Sequence, residues 1–181
     1  MERYTLNERK RACARFFYGF TLMELVIGVL LLSILLFLAI PAMSRYMADS
    51  HLFADLNKLQ SLLALARMES VKSGEKVVLC RWDGNLGCTG ASQSGTQQWN
   101  NGALIFMDKN GDRQISTKDY VIKVISFSPE NSVTWNRGET LVYESDGSVY
   151  GASNGTFQIS QGDDIKKLVI SMTGRVRRTS N

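Results

Sequence analysis

The chain has 181 residues, of which 21 are Lys or Arg and 17 are Asp or Glu, and its formal net charge is +4. This length suffices for one small domain with a hydrophobic core. The first 19 residues carry a net charge of +3, so the rest of the chain is close to neutral. This balance excludes a polycationic protein that binds through its overall charge, so any charged binding site has to be local.

A basic N-terminal segment precedes a long apolar run. No charged residue occurs from Leu25 to Ser44, and a helix of this length spans about 30 Å, the thickness of a bilayer's hydrocarbon core. The run is too long for the apolar region of a secretory signal peptide, and no small-residue cleavage site follows it. Glu24 lies at membrane depth, where an ionisable group marks function by default. An uncleaved membrane anchor with a stray Glu is the alternative.

The helical pattern continues after Pro41. Apolar residues recur there at spacings of three and four, which places them on one face of an amphipathic helix: Leu52, Leu56, Leu59, Leu63 and Ala66. The opposite face carries Asp49, Asp55, Lys58, Arg67 and Lys72. Gly74 is the predicted helix end, because Gly readily adopts the left-handed conformation that closes a helix. One long helix is therefore predicted from about Phe20 to about Ser73.

From Lys76 onward, short β-rich runs alternate with Asp-Gly and Asn-Gly turn pairs. The predicted strands are residues 76–81, 102–108, 120–128, 140–144, 148–150, 156–160 and 167–172. Residues 91–100 are predicted to form a polar loop, and residues 178–181 a loose tail. The sequence therefore predicts an α+β fold in which the long helix packs on an antiparallel β-sheet.

Two of the three cysteines, Cys80 and Cys88, flank a turn sequence, whereas Cys13 lies in the basic N-terminal segment. That basic flank favours a cytoplasmic N-terminus and a periplasmic C-terminal domain. Because the periplasm is oxidising, the pair is expected to form a disulfide. A zinc site is the alternative, although the chain has no second cysteine pair and His51 is its only histidine.

No set of catalytic residues is evident, so we expect neither an enzyme nor a cofactor. The sequence lacks a nucleophile elbow, a zinc-protease motif and a phosphate-binding Gly loop. His51 is expected to be a surface residue rather than a general base.

Residues 108–119 partly match a calcium loop. Oxygen-bearing side chains occur at five ligand positions of that loop: Asp108, Asn110, Asp112, Ser116 and Asp119. The sixth position is Arg113, where the sharp turn requires Gly, and the last is Asp119 instead of a bidentate Glu. The same residue types form polar hairpin turns, and this second interpretation is preferred.

The C-terminal segment is locally basic. No acidic residue follows Asp164, whereas five basic residues do: Lys166, Lys167, Arg175, Arg177 and Arg178. The pattern predicts a strand, a turn at Gly174 and a short final strand or tail, with Arg175 and Arg177 projecting from one face. Two guanidinium groups on one face suit phosphate oxygens. A solvated basic tail is the alternative.

The stretch from Gly19 to Leu25 resembles the leader junction of type IV prepilins and type II secretion pseudopilins. The resemblance implies that a prepilin peptidase cleaves between Gly19 and Phe20 and then methylates the amino group of Phe20. It also implies that Glu24 pairs with a neighbouring subunit's N-terminus during filament assembly. The expected organisation is a leader (1–19), a transmembrane helix segment (20–43), an amphipathic helix segment (44–73) and a β-rich periplasmic domain (74–181).

The periplasmic part resembles the GspH/FimT group of minor pilins and pseudopilins. The resemblance is carried by Cys80 and Cys88, Trp99 with Asn101-Gly102, the turn from Phe106 to Gly111, and Gly174-Arg175. It implies the pilin fold and a single-pass inner-membrane protein that assembles with other pilins into a filament and reaches the cell surface in the assembled pilus.

In the FimT branch, a C-terminal Gly-Arg-x-Arg motif is linked to DNA binding in natural transformation. Gly174-Arg175-Val176-Arg177 fits this pattern. The resemblance implies sequence-independent DNA binding through Gly174, Arg175 and Arg177, with Arg178, Lys166 and Lys167 adding positive potential. The alternative is a structural minor pilin or type II secretion pseudopilin that primes filament assembly without nucleic acid.

Overall fold

The computed structural model describes residues 19–85, 87–89, 94–151 and 154–180, without a description of the side chains of residues 38–42, 44, 45, 48 and 180. Cys13 and the predicted leader up to residue 18 lie outside the described residues. The chain divides into two compact units, Met1–Met43 and Ser44–Asn181.

Helix α1 is Leu22–Ser73. At its start, Thr21 acts as the N-cap residue, because its Oγ1 accepts a hydrogen bond of 3.2 Å from the backbone N–H of Glu24. At its end, Gly74 has a φ of 72°, and its N–H donates to the carbonyl of Ser70 at 3.0 Å. The predicted end of the helix is therefore confirmed.

In the first unit, the described apolar side chains of α1, among them Leu25, Leu30 and Leu35, are exposed. Within the described part of the chain, no helical stretch meets both the length and the hydropathy needed to cross a membrane. The predicted membrane segment includes residues 38–42, whose side chains are not described, and it stays a prediction.

The described residues of the second unit form nine strands. They are β1 (Lys76–Arg81), β2 (Gln97–Gln98), β3 (Gly102–Asp108), β4 (Tyr120–Ser126), β5 (Ser132–Trp135), β6 (Thr140–Tyr143), β7 (Gly155–Gln161), β8 (Asp164–Ile170) and β9 (Val176–Ser180). They form a four-stranded sheet, ordered β4-β3-β1-β6, and a five-stranded sheet, ordered β2-β5-β7-β8-β9. All strand pairs within the two sheets are antiparallel.

The expectation of one sheet is therefore corrected to two. Strand β2 lies in the stretch that was predicted to be a loop, and β5 was not predicted at all. Both are short and polar at several positions, so they depend on pairing with a neighbouring strand more than on their own β-propensity. Residues 148–150, predicted as a strand, contribute only an isolated bridge between Tyr143 and Val149.

The main core lies between the second half of α1 and both sheets. The predicted apolar face of the helix is buried, including Leu52, Leu59 and Leu63. The five-stranded sheet contributes an aromatic group at its centre, in which Trp135 stacks on Phe157 with ring centroids 4.2 Å apart. Trp99 meets Phe157 edge-on at 5.2 Å. Such aromatic pairs stabilise a core beyond the area that they bury.

Asp55 departs from its predicted position on the polar face of α1, because it is buried. Its Oδ2 accepts hydrogen bonds of 2.7 Å from the backbone N–H of Ser128 and from Nδ2 of Asn131. Its Oδ1 accepts from Nζ of Lys58 at 2.8 Å. A buried carboxylate is tolerated only when it is satisfied in this way, so Asp55 joins α1 to the segment between β4 and β5.

A second, smaller cluster lies on the other face of the four-stranded sheet. It contains Val78, Cys80, Leu104, Phe106 and Val142, which alternate along their strands with residues of the main core. The expected disulfide is present here, joining Cys80 to Cys88 with Cα atoms 5.6 Å apart. The disulfide therefore secures the loop that follows β1 against this cluster.

Candidate nucleic-acid interface

The basic C-terminal segment forms a hairpin rather than a loose tail. Strand β9 pairs with β8, with Ile170 opposite Val176 and Leu168 opposite Arg178. The turn between them is closed by hydrogen bonds from the N–H of Ser171 to the carbonyl of Arg175, at 3.0 Å, and from the N–H of Gly174 to the carbonyl of Ser171, at 2.9 Å. The prediction that residues 178–181 are loose is wrong for residues 178–180, because they pair with β8 as part of a regular strand. Residue 181 lies outside the described residues.

Gly174 has a packing role in this turn. It is buried and has a φ of 74°, a conformation that residues with a side chain rarely adopt. A Cβ atom there would collide with the carbonyl oxygen of Gly147 and lie 3.0 Å from the Tyr143 ring. The same carbonyl accepts a hydrogen bond of 3.0 Å from Nε of Arg67 on α1. Gly174 thus allows the β8–β9 turn to pack directly on the backbone at Gly147, which is itself hydrogen-bonded to α1.

The five basic residues do not share one face of the hairpin. Leu168 and Ile170 are buried, and the β8–β9 register places Arg178 and Lys166 on the same side as them. Arg178 accordingly contacts α1, donating from Nε to Oε1 of Gln60 and from NH2 to Oδ1 of Asn57, the latter at 2.6 Å. Lys166 lies over the ring of Phe53, 5.2 Å from its centroid, which is a cation–π distance.

Arg177 and Lys167 belong to the opposite side of the hairpin. The register pairs Arg177 with Val169 and Lys167 with Thr179, so the two basic residues are diagonal neighbours on the face away from the core. Arg177 is exposed, and Arg175 is exposed in the turn. The hairpin therefore holds two exposed guanidinium groups on an ordered backbone, and each can donate two parallel hydrogen bonds to a phosphate.

Strand β9 is also an edge of the five-stranded sheet. Charged residues on an edge strand prevent unwanted pairing with other chains. The basic character of β9 thus has a structural explanation as well as a binding one.

The candidate calcium loop has the hydrogen bonding of a polar turn. Asp108 accepts from the N–H groups of Gly111 and Arg113, at 2.7 and 3.0 Å. Asp119 accepts from the N–H groups of Lys109 and Ser116, at 3.0 and 2.8 Å. Asn110 donates to Asp112 at 2.8 Å. Among the residues with described positions, no group of three or more His, Cys, Asp or Glu is arranged to hold a metal ion.

Asp119 shows the electrostatic effect of this arrangement. Desolvation by itself would raise the pKa of its carboxyl group, but the hydrogen bonds from Ser116 and Lys109 outweigh desolvation, and the pKa is lowered. The ionised carboxylate is thus stabilised by the turn itself.

The sequence did not indicate a buried ion pair between Arg81 and Glu139. Nε of Arg81 lies 2.7 Å from Oε2 of Glu139, whose side chain is almost fully buried. Desolvation raises the pKa of Glu139, and the charge of Arg81 opposes that rise. Arg81 ends β1 and Glu139 directly precedes β6, and these two strands are neighbours only in the folded sheet. The sequence therefore carries no signal for this contact.

His51, as expected, is exposed, and its Nδ1 lies 3.2 Å from Oγ of Ser128.

Comparison with known proteins places this architecture in a family. The family model described as type II transport protein GspH matches residues 55–174. No curated protein matches the chain. A crystal structure of the type IV minor pilin FimU from Pseudomonas aeruginosa strain PAO1, in space group P21, covers 72% of this chain and 90% of that chain, with 17% identity and a TM-score of 0.56.

A second crystal structure of the same minor pilin, in space group P65, covers 70% of this chain and 90% of that chain, with 18% identity and a TM-score of 0.53. At such low identity, the structural similarity shows the shared fold, and it confirms the expected α+β pilin architecture. The match to the family model extends over most of the chain and includes most of the buried helix face, strands β1 to β8 and Gly174. The chain therefore belongs to the GspH family, as a minor type IV pilin or GspH-like pseudopilin.

Proposed function

We propose that this pilin binds DNA through the β8–β9 hairpin and serves in DNA uptake for natural transformation. The observation that carries the proposal is the exposure of Arg175 and Arg177 on an ordered hairpin, in which the Gly-Arg-x-Arg sequence forms the end of the turn and the start of β9. An ordered backbone reduces the conformational entropy that binding costs.

Phosphate contacts explain affinity in this proposal, and base contacts are not required. Arg175 and Arg177 donate to phosphate oxygens, and Lys167 adds charge on the face of Arg177. Lys166 and Arg178 contribute positive potential, although Arg178 is also bonded to α1. Binding is then insensitive to sequence and falls steeply with salt, because the release of counterions drives it.

In the same proposal, the chain is made as an inner-membrane precursor with a periplasmic C-terminal domain. A prepilin peptidase cleaves after Gly19 and methylates Phe20, and Glu24 pairs with a neighbouring subunit's N-terminus. The mature chain then assembles with other pilins. A mature mass that still includes residues 1–19 would contradict this part of the proposal.

A purely structural pilin, or a pseudopilin that primes filament assembly, is the second candidate. Two observations favour it: the basic residues of β9 protect a sheet edge, and Arg178 is hydrogen-bonded to α1. In that case, removal of Arg175 and Arg177 would change no interaction with nucleic acid.

A DNA mobility-shift titration distinguishes the two candidates. The protein is residues 44–181, the compact unit that contains the core, and the variant combines Arg175→Ala with Arg177→Ala. We expect weaker binding to duplex DNA at moderate salt and a log–log salt slope that is lower by about 0.9 for each phosphate that the variant no longer neutralises. The control combines Lys109→Ala with Lys118→Ala, which removes the same charge from exposed positions elsewhere. Equal binding by both variants would refute DNA binding through the motif.

A further inference from the structure

A groove runs between the last turns of α1 and the β8–β9 turn. Its volume is about 740 Å³, and it is lined by Leu63, Ala64, Met68 and Val71 on the helix and by the segment from Gly174 to Val176 on the hairpin. The lining is mainly aliphatic. The groove lies entirely within the second compact unit, so its walls belong to one folded body.

Three apolar side chains of this groove, Ala64, Met68 and Val71, are accessible, whereas Leu63 at its base belongs to the buried core. Met68 and Val71 are each 55% exposed. Single exposed apolar residues are ordinary, but several of them in one concave surface mark a site of interaction. The groove therefore offers apolar area to another molecule.

The charged side chains that line the groove are all basic. Arg67, Lys72 and Arg175 line it, and none of the described acidic residues does. A smaller cavity of about 210 Å³, next to Phe53 on the same helix, repeats the pattern with Lys166 and Arg178, again with no acidic residue among those described in its lining. A complementary occupant must combine apolar groups with negative charge.

We infer that the groove is a docking surface for a different pilin that neighbours this one in the filament, and that this pilin inserts an aliphatic or aromatic side chain flanked by Asp or Glu. This inference rests on membership of a pilin family, whose members associate in filaments, and it does not depend on DNA binding. The inserted side chain contacts Ala64, Met68 and Val71, and the flanking carboxylate pairs with Lys72.

The chemistry of the groove favours a protein segment over DNA as its occupant. The described lining of the groove contains no aromatic side chain on which an unpaired base could stack, and a phosphate backbone would leave the aliphatic floor uncovered. Arg177 and Lys167 lie on the other face of the hairpin. The groove and the proposed phosphate contacts share Arg175, and Arg177, on the other face, can contact a second partner.

Site-specific photo-crosslinking in the intact filament system tests the inference. A benzophenone amino acid replaces Met68 in the full chain, in cells that produce it, and adducts are identified by mass spectrometry. The control carries the same amino acid at Met172, a methionine that is 61% exposed and lies outside the groove. We expect an adduct at Met68, and none at Met172, with a peptide of a different pilin that contains Asp or Glu beside an apolar residue.

A charge reversal supplies the second measurement. Lys72 is exposed, and its contact with Glu69 is an ion pair of 3.6 Å at the surface, so Lys72→Glu leaves the fold intact. It should lower the yield of the Met68 adduct at least about fivefold, because it places like charges together. The inference is overturned by an adduct with DNA, with lipid, with a second copy of this chain or with a pilin peptide that lacks acidic residues. It is equally overturned if no adduct forms or if Lys72→Glu leaves the yield unchanged.

Discussion

Replacement of Gly174 by Ala separates the packing role of the motif's Gly from any role in binding. The left-handed conformation at φ 74° costs a residue with a side chain about 1–2 kcal/mol. The added Cβ also collides with the Gly147 carbonyl, and overpacking of this kind costs about 1–3 kcal/mol. Gly174→Ala should therefore lower the free energy of unfolding by about 2–5 kcal/mol.

Gly162, in the turn between β7 and β8, provides the matched control. Its φ is 56°, but a Cβ atom there would meet no other atom within 4 Å. Gly162→Ala should therefore cost only the conformational part, about 1–2 kcal/mol.

Thermal unfolding of residues 44–181, followed by circular dichroism, measures both variants. For a domain of this size, each kcal/mol shifts the Tm by about 4 °C, so Gly174→Ala should lower the Tm by about 8–20 °C, against about 4–8 °C for Gly162→Ala. Equal shifts for the two variants would refute the steric argument. A folded Gly174→Ala variant with normal Tm that no longer binds DNA would show that this Gly contacts the ligand directly.

Three further predictions concern other parts of the molecule. Asp55→Ala leaves the buried donors of Ser128 and Asn131 without their acceptor, and urea denaturation should show a loss of about 2–4 kcal/mol, whereas Asp49→Ala, at an exposed position, should be neutral. The lowered pKa of Asp119 means that its ionised form stabilises the fold above its ordinary pKa of 3.8 and that this contribution disappears as the pH falls through the lowered value. The Tm of wild type should therefore exceed that of Asp119→Asn at pH 7, and the two should converge in strong acid; a constant difference would contradict the assignment. Glu24→Ala should leave leader cleavage intact and reduce incorporation into filaments, as followed by immunoblotting of sheared fractions, and normal incorporation would refute the role proposed for Glu24.

Local sequence signals identified the elements whose structure depends on local interactions. The periodic Leu residues predicted the buried face of α1, Gly74 predicted its end, and the bounds of β1 and β3 are those expected from their apolar runs. These features follow from side-chain periodicity and backbone preference, which a sequence displays directly.

The features that the sequence did not reveal depend on distant pairings. Strand β5 exists because it pairs with β7, and Asp55 is buried because Ser128 and Asn131 supply donors from a segment more than 70 positions away. At the candidate interface, the basic residues could be located, but their division between two faces could not, because Arg178 meets Asn57 across 121 positions of sequence. Register and packing decide these contacts, and neither can be derived from composition.

The burial of one face of α1 has a mechanical consequence. From Leu52 to Ala66 the helix is anchored in the core by side chains distributed along about 21 Å of its axis. A tensile load applied along this axis is carried by all of these contacts in parallel, so that they must slide together and cannot detach one after another. The second unit should accordingly respond to traction as a stiff element, and any lengthening under load has to occur elsewhere in the chain.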